Sequence, residues 1–125
     1  MPEKNALYVE DEPALIRSMT IFIKEAGYDV LHTDNLEDAT AYVKDRKFNL
    51  YVVDGTFCRS KSDRSLVRGA ALELYDIMEN HADNFVVVSG DFNLERECKA
   101  RGIRFLLKAD LDANKFIEYI KSIGS

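Results

Sequence analysis

The sequence predicts an α/β fold, a doubly wound parallel sheet of five strands held between two layers of helices. Three observations predict it. Five short apolar runs recur along the 125 residues. Five segments of helical period alternate with them, the signature of βα repeats. Three of the runs are nearly all apolar, as parallel strands buried on both faces must be.

The strand-like runs are Ala6–Val9, Asp29–Thr33, Leu50–Val53, Phe85–Val88 and Arg104–Leu107. Between the first two, Leu15, Ile16, Met19, Phe22, Ile23 and Ala26 repeat at i, i+3, i+4 spacing, which lines one face of a helix. Pro13 suits its first turn, and Gly27 supplies the left-handed stop. Leu36, Ala39 and Val43 form a second stripe behind an Asp34 or Asn35 cap. Ala71, Leu74, Tyr75 and Met78 mark the third helix. Leu94 and Cys98 mark a short fourth that ends at Gly102, and Leu111, Phe116, Ile117 and Ile120 the fifth. Short right-handed crossovers leave few topologies for such a (βα)5 chain. The leading one is the flavodoxin-like three-layer sandwich with strand order 2-1-3-4-5.

Length and composition fit one domain over residues 1–125, with 46% hydrophobic and 31% charged residues. A net charge of −5 argues against nucleic acid as a direct partner, which a basic face would serve. No apolar run reaches the ~18 residues of a membrane span, and Met1-Pro2-Glu3-Lys4 lacks a signal peptide's apolar segment. Two cysteines, Cys58 and Cys98, make no disulfide framework. A cytoplasmic location is the expectation.

Ligands bind such sheets at the carboxyl ends of the strands, where strand order reverses. Four of the five strand ends carry polar groups. The first runs into Glu10-Asp11-Glu12, the third into Asp54, the fourth into Ser89-Gly90 and the fifth into Lys108. The second contributes nothing comparable. Taken singly, each is a cap, a turn or a solvated lysine; together at one edge they make a site. Two carboxylates ~4 Å apart repel by about 4 kcal/mol at an effective dielectric of 20, so three of them invite a divalent cation. Oxygen ligands of this kind favour magnesium, which takes a phosphate oxygen as co-ligand. A carboxylate also attacks phosphorus to give an acyl phosphate. A hydroxyl and an ammonium then stabilise charge on the phosphoryl oxygens.

Four segments, Val9-Glu10-Asp11-Glu12-Pro13, Val52-Val53-Asp54, Val87-Val88-Ser89-Gly90 and Phe105-Leu106-Leu107-Lys108, resemble in order the signatures of receiver domains of two-component response regulators. The resemblance spans essentially the whole chain. It implies a phosphorylation switch rather than an enzyme, with Asp54 as phosphoacceptor. Asp11 would bind Mg2+ directly, Glu10 through water, and the Thr56 backbone carbonyl would complete the protein ligands. Ser89 and Lys108 would each hold a phosphoryl oxygen. Phe105 matches the aromatic switch, with an ordinary core aromatic as the alternative. Thr56 and Asp91, two residues beyond Asp54 and Ser89, match positions that tune hydrolysis. A sensor histidine kinase or histidine phosphotransfer protein would be the donor. With no output domain expected after Ser125, signalling would run through a protein contact on the fourth and fifth helices and fifth strand. The alternative is a degenerate receiver that only binds partners.

The chain departs from the family in three places. Phe57 and Cys58 stand where Met-Pro usually follows the acceptor. The stretch from Phe57 to Gly69 is longer than typical and carries Arg59, Lys61, Arg64 and Arg68 against Asp63 alone, a net +3 that leaves −8 elsewhere. It reads as a solvated insertion, with Cys58–Arg68 the least ordered stretch. Ala109 replaces the proline after the lysine; the expectation is a cis Lys108–Ala109 bond, at roughly 3 kcal/mol, that turns the ammonium into the site, and the alternative is a trans bond with Lys108 displaced or its loop rerouted. Two enzyme readings are disfavoured. Haloacid-dehalogenase-type phosphatases need an aspartate where Thr56 stands, and Glu10-Asp11-Glu12 would repel a flavin phosphate.

Overall fold

A computed structural model describes residues 4–78 and 83–124. Its main sheet is formed by β1 (Lys4–Val9), β2 (Tyr28–Thr33), β3 (Leu50–Asp54), β6 (Phe85–Ser89) and β7 (Arg104–Leu107), all parallel, in the order β2-β1-β3-β6-β7. Numbered among themselves, these five strands run 2-1-3-4-5, the predicted flavodoxin-like order. The helices are α1 (Pro13–Glu25), α2 (Leu36–Asp45), α3 (Ala70–Ile77), α4 (Phe92–Ala100) and α5 (Ala113–Gly124).

Strand alternation divides the core into two halves, because successive side chains leave a strand on opposite faces. Leu7, Val9, Tyr51, Val53, Phe85 and Val87 point to one face and pack with Leu36, Ala39, Ala71, Leu74, Leu94 and Cys98 of α2, α3 and α4. Ala6, Tyr8, Leu50, Val52, Val86 and Val88 point to the other and meet Met19 and Ile23 of α1 and Phe116, Ile117 and Ile120 of α5. Fully burying one Val, Leu, Ile or Phe side chain contributes about 1.5–3 kcal/mol, so both layers hold the central strands firmly.

Helix ends follow the local chemistry. Asn35 caps α2 by accepting from Asp38 N at 2.8 Å, and Asp91 caps α4 by accepting from Asn93 N at 2.9 Å. At the end of α4, Gly102 takes φ +71°, and Ile103 N donates to Cys98 O, closing the helix through a left-handed glycine. The fifth helix starts two residues later than its stripe suggested. Asp112 caps it, with Oδ1 accepting from Lys115 N, while Leu111 packs on the core from the preceding turn.

The sequence analysis did not foresee β4 (Phe57–Cys58) and β5 (Leu66–Val67), an antiparallel hairpin pairing Phe57 with Val67 and Cys58 with Leu66. The expectation of a loosely ordered Cys58–Arg68 loop is therefore wrong. Arg59 N donates to Ser65 O and Ser60 N to Asp63 O, Asp63 N donates to Ser60 Oγ, and Ser65 Oγ donates to Asp63. Phe57 is fully buried in the core beneath it. Four ion pairs strap the hairpin outward: Arg59–Glu73, Lys61–Asp38, Arg64–Asp34 and Arg68–Asp91. The basic charge expected to be solvated is spent on four acidic partners of the same chain.

Candidate functional site

All four polar strand ends meet at the carboxyl edge of the sheet, beside the switch point between β1 and β3. Parallel pairing sets this up. Val9 lies beside Val53, and Asp54 beside Val88, so each first polar residue emerges next to the others. One carboxylate oxygen each of Glu10, Asp11 and Asp54 lies within 4.8 Å of the rest. Glu10 and Asp54 are buried, whereas Asp11 is half-buried. Lys108 reaches in from the end of β7, its Nζ 3.1 Å from Asp54 Oδ1 and 3.5 Å from Glu10 Oε1. A longer contact of 3.9 Å joins it to Glu12.

Gly55 allows the fourth group to approach. A Cβ there would lie 2.6 Å from Ser89 Oγ and 2.3 Å from a Leu94 methyl, distances no side chain tolerates. Gly55 N donates to Val88 O at 3.2 Å, which holds the turn after Asp54 against β6. Ser89 is buried and its Oγ accepts from Asp91 N at 3.1 Å. Asp54-Gly55 reads locally as a turn; the packing of Gly55 against Ser89 spans two strands and is invisible at that range.

Electrostatics reflect the crowding. Burial pushes the Glu10 carboxyl up to about 8, reinforced by its hydrogen bond with Asp54 and repulsion from it. Asp11 is raised for the same two reasons, burial and the Asp54 charge. Burial pulls the Lys108 ammonium down, but Asp54 and Glu10 outweigh it and hold it above its ordinary value. Tyr8, beneath the site, is raised by burial and by Glu10, Asp54 and Glu12. Three carboxyl groups crowd around one ammonium, and a bound cation would relieve the repulsion that helps hold the Glu10 proton. Hard oxygen donors in this arrangement suit Mg2+, so the residues present fit the ion expected from the sequence.

No protein-family model and no curated protein matches this chain. Solved structures do. A CheY-like response regulator receiver domain from Methylobacillus flagellatus superposes with a TM-score of 0.72 at 19% identity, covering 98% of this chain and 99% of its own. The receiver domain of a sensor histidine kinase from Pseudomonas aeruginosa, with a magnesium ion coordinated in its active site cleft, gives 0.72 at 18% identity and covers 99% and 100%. A CheY-like receiver domain from Methanospirillum hungatei gives 0.74 at 17% identity and covers 97% and 93%.

The chain has the receiver-domain fold. At these identities the likeness establishes the fold, and the site must be judged on its own residues. Within the receiver fold, Thr56 is half-exposed in the turn after Asp54, and Asp91 is half-buried at the α4 N-terminus, its other oxygen 3.4 Å from Arg68. Phe105 is half-buried and packs on the α2–α3–α4 side of the core.

Two expectations need correction. The Lys108–Ala109 bond is trans, not cis. Residues Lys108–Asp110 form a 3-10 turn, closed by Leu111 N donating to Lys108 O. That turn redirects the chain and leaves Lys108 on Asp54 without the penalty of a cis bond. The end of β2 is also not idle. Asp34 accepts from Arg64, and its carbonyl accepts from Cys58 Sγ at 3.1 Å, so β2 anchors the hairpin beside the site. His32 Nε2 donates to Glu10 O at 2.9 Å and fixes the acidic turn.

Proposed function

We propose that this chain works as a phosphorylation switch, accepting a phosphoryl group on Asp54 in a Mg2+-dependent manner and signalling through protein contacts. The observation that carries the reading is the pairing of buried Asp54 with Lys108 at 3.1 Å inside a three-carboxylate cluster. A structural aspartate has little reason to sit there. Buried charges are retained where geometry or function demands them.

An Asp54 carboxylate oxygen attacks the phosphorus of a donor, the bond from phosphorus to the donor's leaving atom breaks, and an acyl phosphate results. Lys108 and Ser89 hold separate phosphoryl oxygens, the first by charge and the second by its hydroxyl. Asp11, Glu10 through water, Asp54 and the Thr56 carbonyl would hold Mg2+, which neutralises charge on the phosphoryl oxygens when bound. Phosphohistidine on a sensor kinase or phosphotransfer protein is the fitting donor in a cytoplasmic setting. No described helix is long and apolar enough to cross a membrane. The surface of α4, β7 and α5, with Phe105 beneath it, is the output face.

The test is incubation with Mg2+ and acetyl phosphate, read by intact mass. The expected result is one added phosphoryl group on the wild type and none on Asp54→Asn. Equal labelling of both would place the acceptor elsewhere. Absence of label on the wild type would favour a receiver fold that only binds partners.

A further inference from the structure

The acidic turn hangs from its neighbouring strand by two bonds. Glu10 lies one residue beyond β1, past the last paired residues Val9 and Thr33. Its N–H donates to Thr33 O at 3.1 Å, and its carbonyl accepts from His32 Nε2 at 2.9 Å. The peptide planes on both sides of the Glu10 Cα are therefore pinned to β2. The first bond fixes how the Glu10 side chain leaves the backbone; the second fixes the peptide that leads into Asp11. A carbonyl only accepts, so Nε2 is a protonated nitrogen of His32. The ring that supplies this bond is itself held in place. His32 pairs with Tyr8 in the parallel register, so both side chains leave the sheet on one face, and their rings lie 5.5 Å apart at 52°. Tyr8 is buried in the α1–α5 half of the core, which gives the half-buried imidazole a firm wall to rest on. Glu12 N donates to Glu10 Oε2 at 3.3 Å and ties the far end of the turn back to the same residue.

We infer that His32 is a positioning residue for the divalent cation, its side-chain bond to the Glu10 carbonyl setting the Mg2+ affinity of the acidic turn. The inference rests on the Mg2+ part of the switch reading. Glu10 and Asp11 are consecutive, and on a free turn both would lose backbone freedom when an ion bound. With both peptide planes held by β2, that ordering is complete before the ion arrives, and a preformed site binds more tightly. Outer partners of metal ligands contribute about ten- to a hundredfold in affinity. His32 acts through a backbone carbonyl rather than through a ligand atom, which puts it at the lower end of that range.

Wild type, His32→Phe, His32→Gln and Tyr28→Phe proteins, freed of metal, are titrated with MgCl2 by calorimetry, and their melting temperatures are read in chelator. Phenylalanine keeps a ring beside Tyr8 and removes the donor; a glutamine amide reaches about as far as Nε2 and restores it. Tyr28→Phe is the control on the same strand, because it removes a buried hydroxyl bond to Ile120 O at the end of β2 away from the turn. His32→Phe is expected to weaken Mg2+ binding about tenfold, and His32→Gln to recover most of that loss. Tyr28→Phe keeps the wild-type affinity even where its melting temperature falls. In labelling with acetyl phosphate, the Mg2+ concentration that gives half-maximal label moves by the same factor as the affinity. Equal affinities of wild type and His32→Phe overturn the inference. A loss in His32→Gln as large as in His32→Phe also overturns it, because the effect would then belong to the ring. An equal loss in Tyr28→Phe does the same by assigning the effect to general loosening. If the affinities follow the expected order but wild type takes no label, His32 keeps its role and the acceptor reading fails. A wild type that binds no Mg2+ overturns both.

Discussion

At the residue scale the site was legible because its polar groups directly follow apolar runs. Val53 to Asp54 and Leu107 to Lys108 are abrupt changes that any reading of strand ends detects. What stayed hidden depends on contacts between distant residues. Gly55 reads as a turn, yet its missing side chain is what admits Ser89 and Leu94. Gly55→Ala is expected to destabilise by about 1–3 kcal/mol, the usual scale of forced overpacking, and chemical denaturation measures it. An unchanged midpoint would mean that β6 yields easily. The cis expectation at Lys108 failed for a related reason. It relied on a cis bond to turn the chain, whereas a 3-10 turn over Lys108–Asp110 does so with trans bonds and ordinary residues. The ammonium itself matters more than the bond. Lys108→Ala leaves Glu10, Asp11 and Asp54 facing one another without a cation of this chain between them, and is expected to cost about 1–3 kcal/mol in chelator. Saturating Mg2+ should recover most of that loss. A variant as stable as wild type without Mg2+ would show that Lys108 carries no structural load.

At the element scale all five helices and five sheet strands announced themselves by period, and most boundaries moved by only a residue or two. The β4–β5 hairpin did not, because two-residue strands carry no alternation to read and their flanks are polar. Its order comes from tertiary anchors: Phe57 in the core, Cys58 against Asp34, and four arginine or lysine straps. These anchors are unequal. Exposed ion pairs contribute about 0–1 kcal/mol each, so removing Arg59 or Lys61 should barely move the denaturation midpoint. Phe57→Ala should cost about 3–5 kcal/mol. Thiol chemistry reports the same order without mutation. Cys58 is buried and its thiol is raised by that burial. Cys98 is fully buried in the core half that holds Phe57 and is pushed up to about 11. Because the thiolate is the reactive form, iodoacetamide at pH 8 should label neither in the native protein and both after unfolding. Raising the pH from 7 to 9 should leave Cys98 almost unreactive, since its thiolate fraction stays small below about 11. Rapid labelling of Cys58 in the native state would return the hairpin to the mobile loop that the sequence suggested.

At the scale of the whole molecule, topology followed from alternation and the right-handed crossover rule, and it also fixes where the molecule is least at ease. The order β2-β1-β3-β6-β7 puts the acidic turn after β1 and the acidic end of β3 side by side, so folding itself crowds three carboxylates. The consequence is a definite pH dependence of global stability. Glu10 moves from an ordinary 4.5 up to about 8 on folding, first through burial and then through Asp54. Between those values the native state binds a proton that the unfolded chain has already released. Linkage then makes stability fall as pH rises through this window. Asp11, raised by burial and by Asp54, acts in the same direction. Asp34 is lowered, chiefly by its hydrogen bond with Asn35, so its contribution is complete above the ordinary carboxylate range and does not oppose the trend. Lys108 is raised, so its stabilising contribution is fully present below about 10.5 and is lost only at higher pH. In chelator, unfolding free energy should therefore drop by about 2–4 kcal/mol from pH 5 to pH 8, measured by denaturant titration at fixed ionic strength. Glu10→Gln should flatten most of that slope. Mg2+ binds the deprotonated carboxylates, so its stabilisation should grow with pH and reach about 2.7 kcal/mol at a hundredfold excess over its Kd. A stability that rises from pH 5 to pH 8 without Mg2+ would mean that in solution the three carboxyl groups stay farther apart than 4.8 Å.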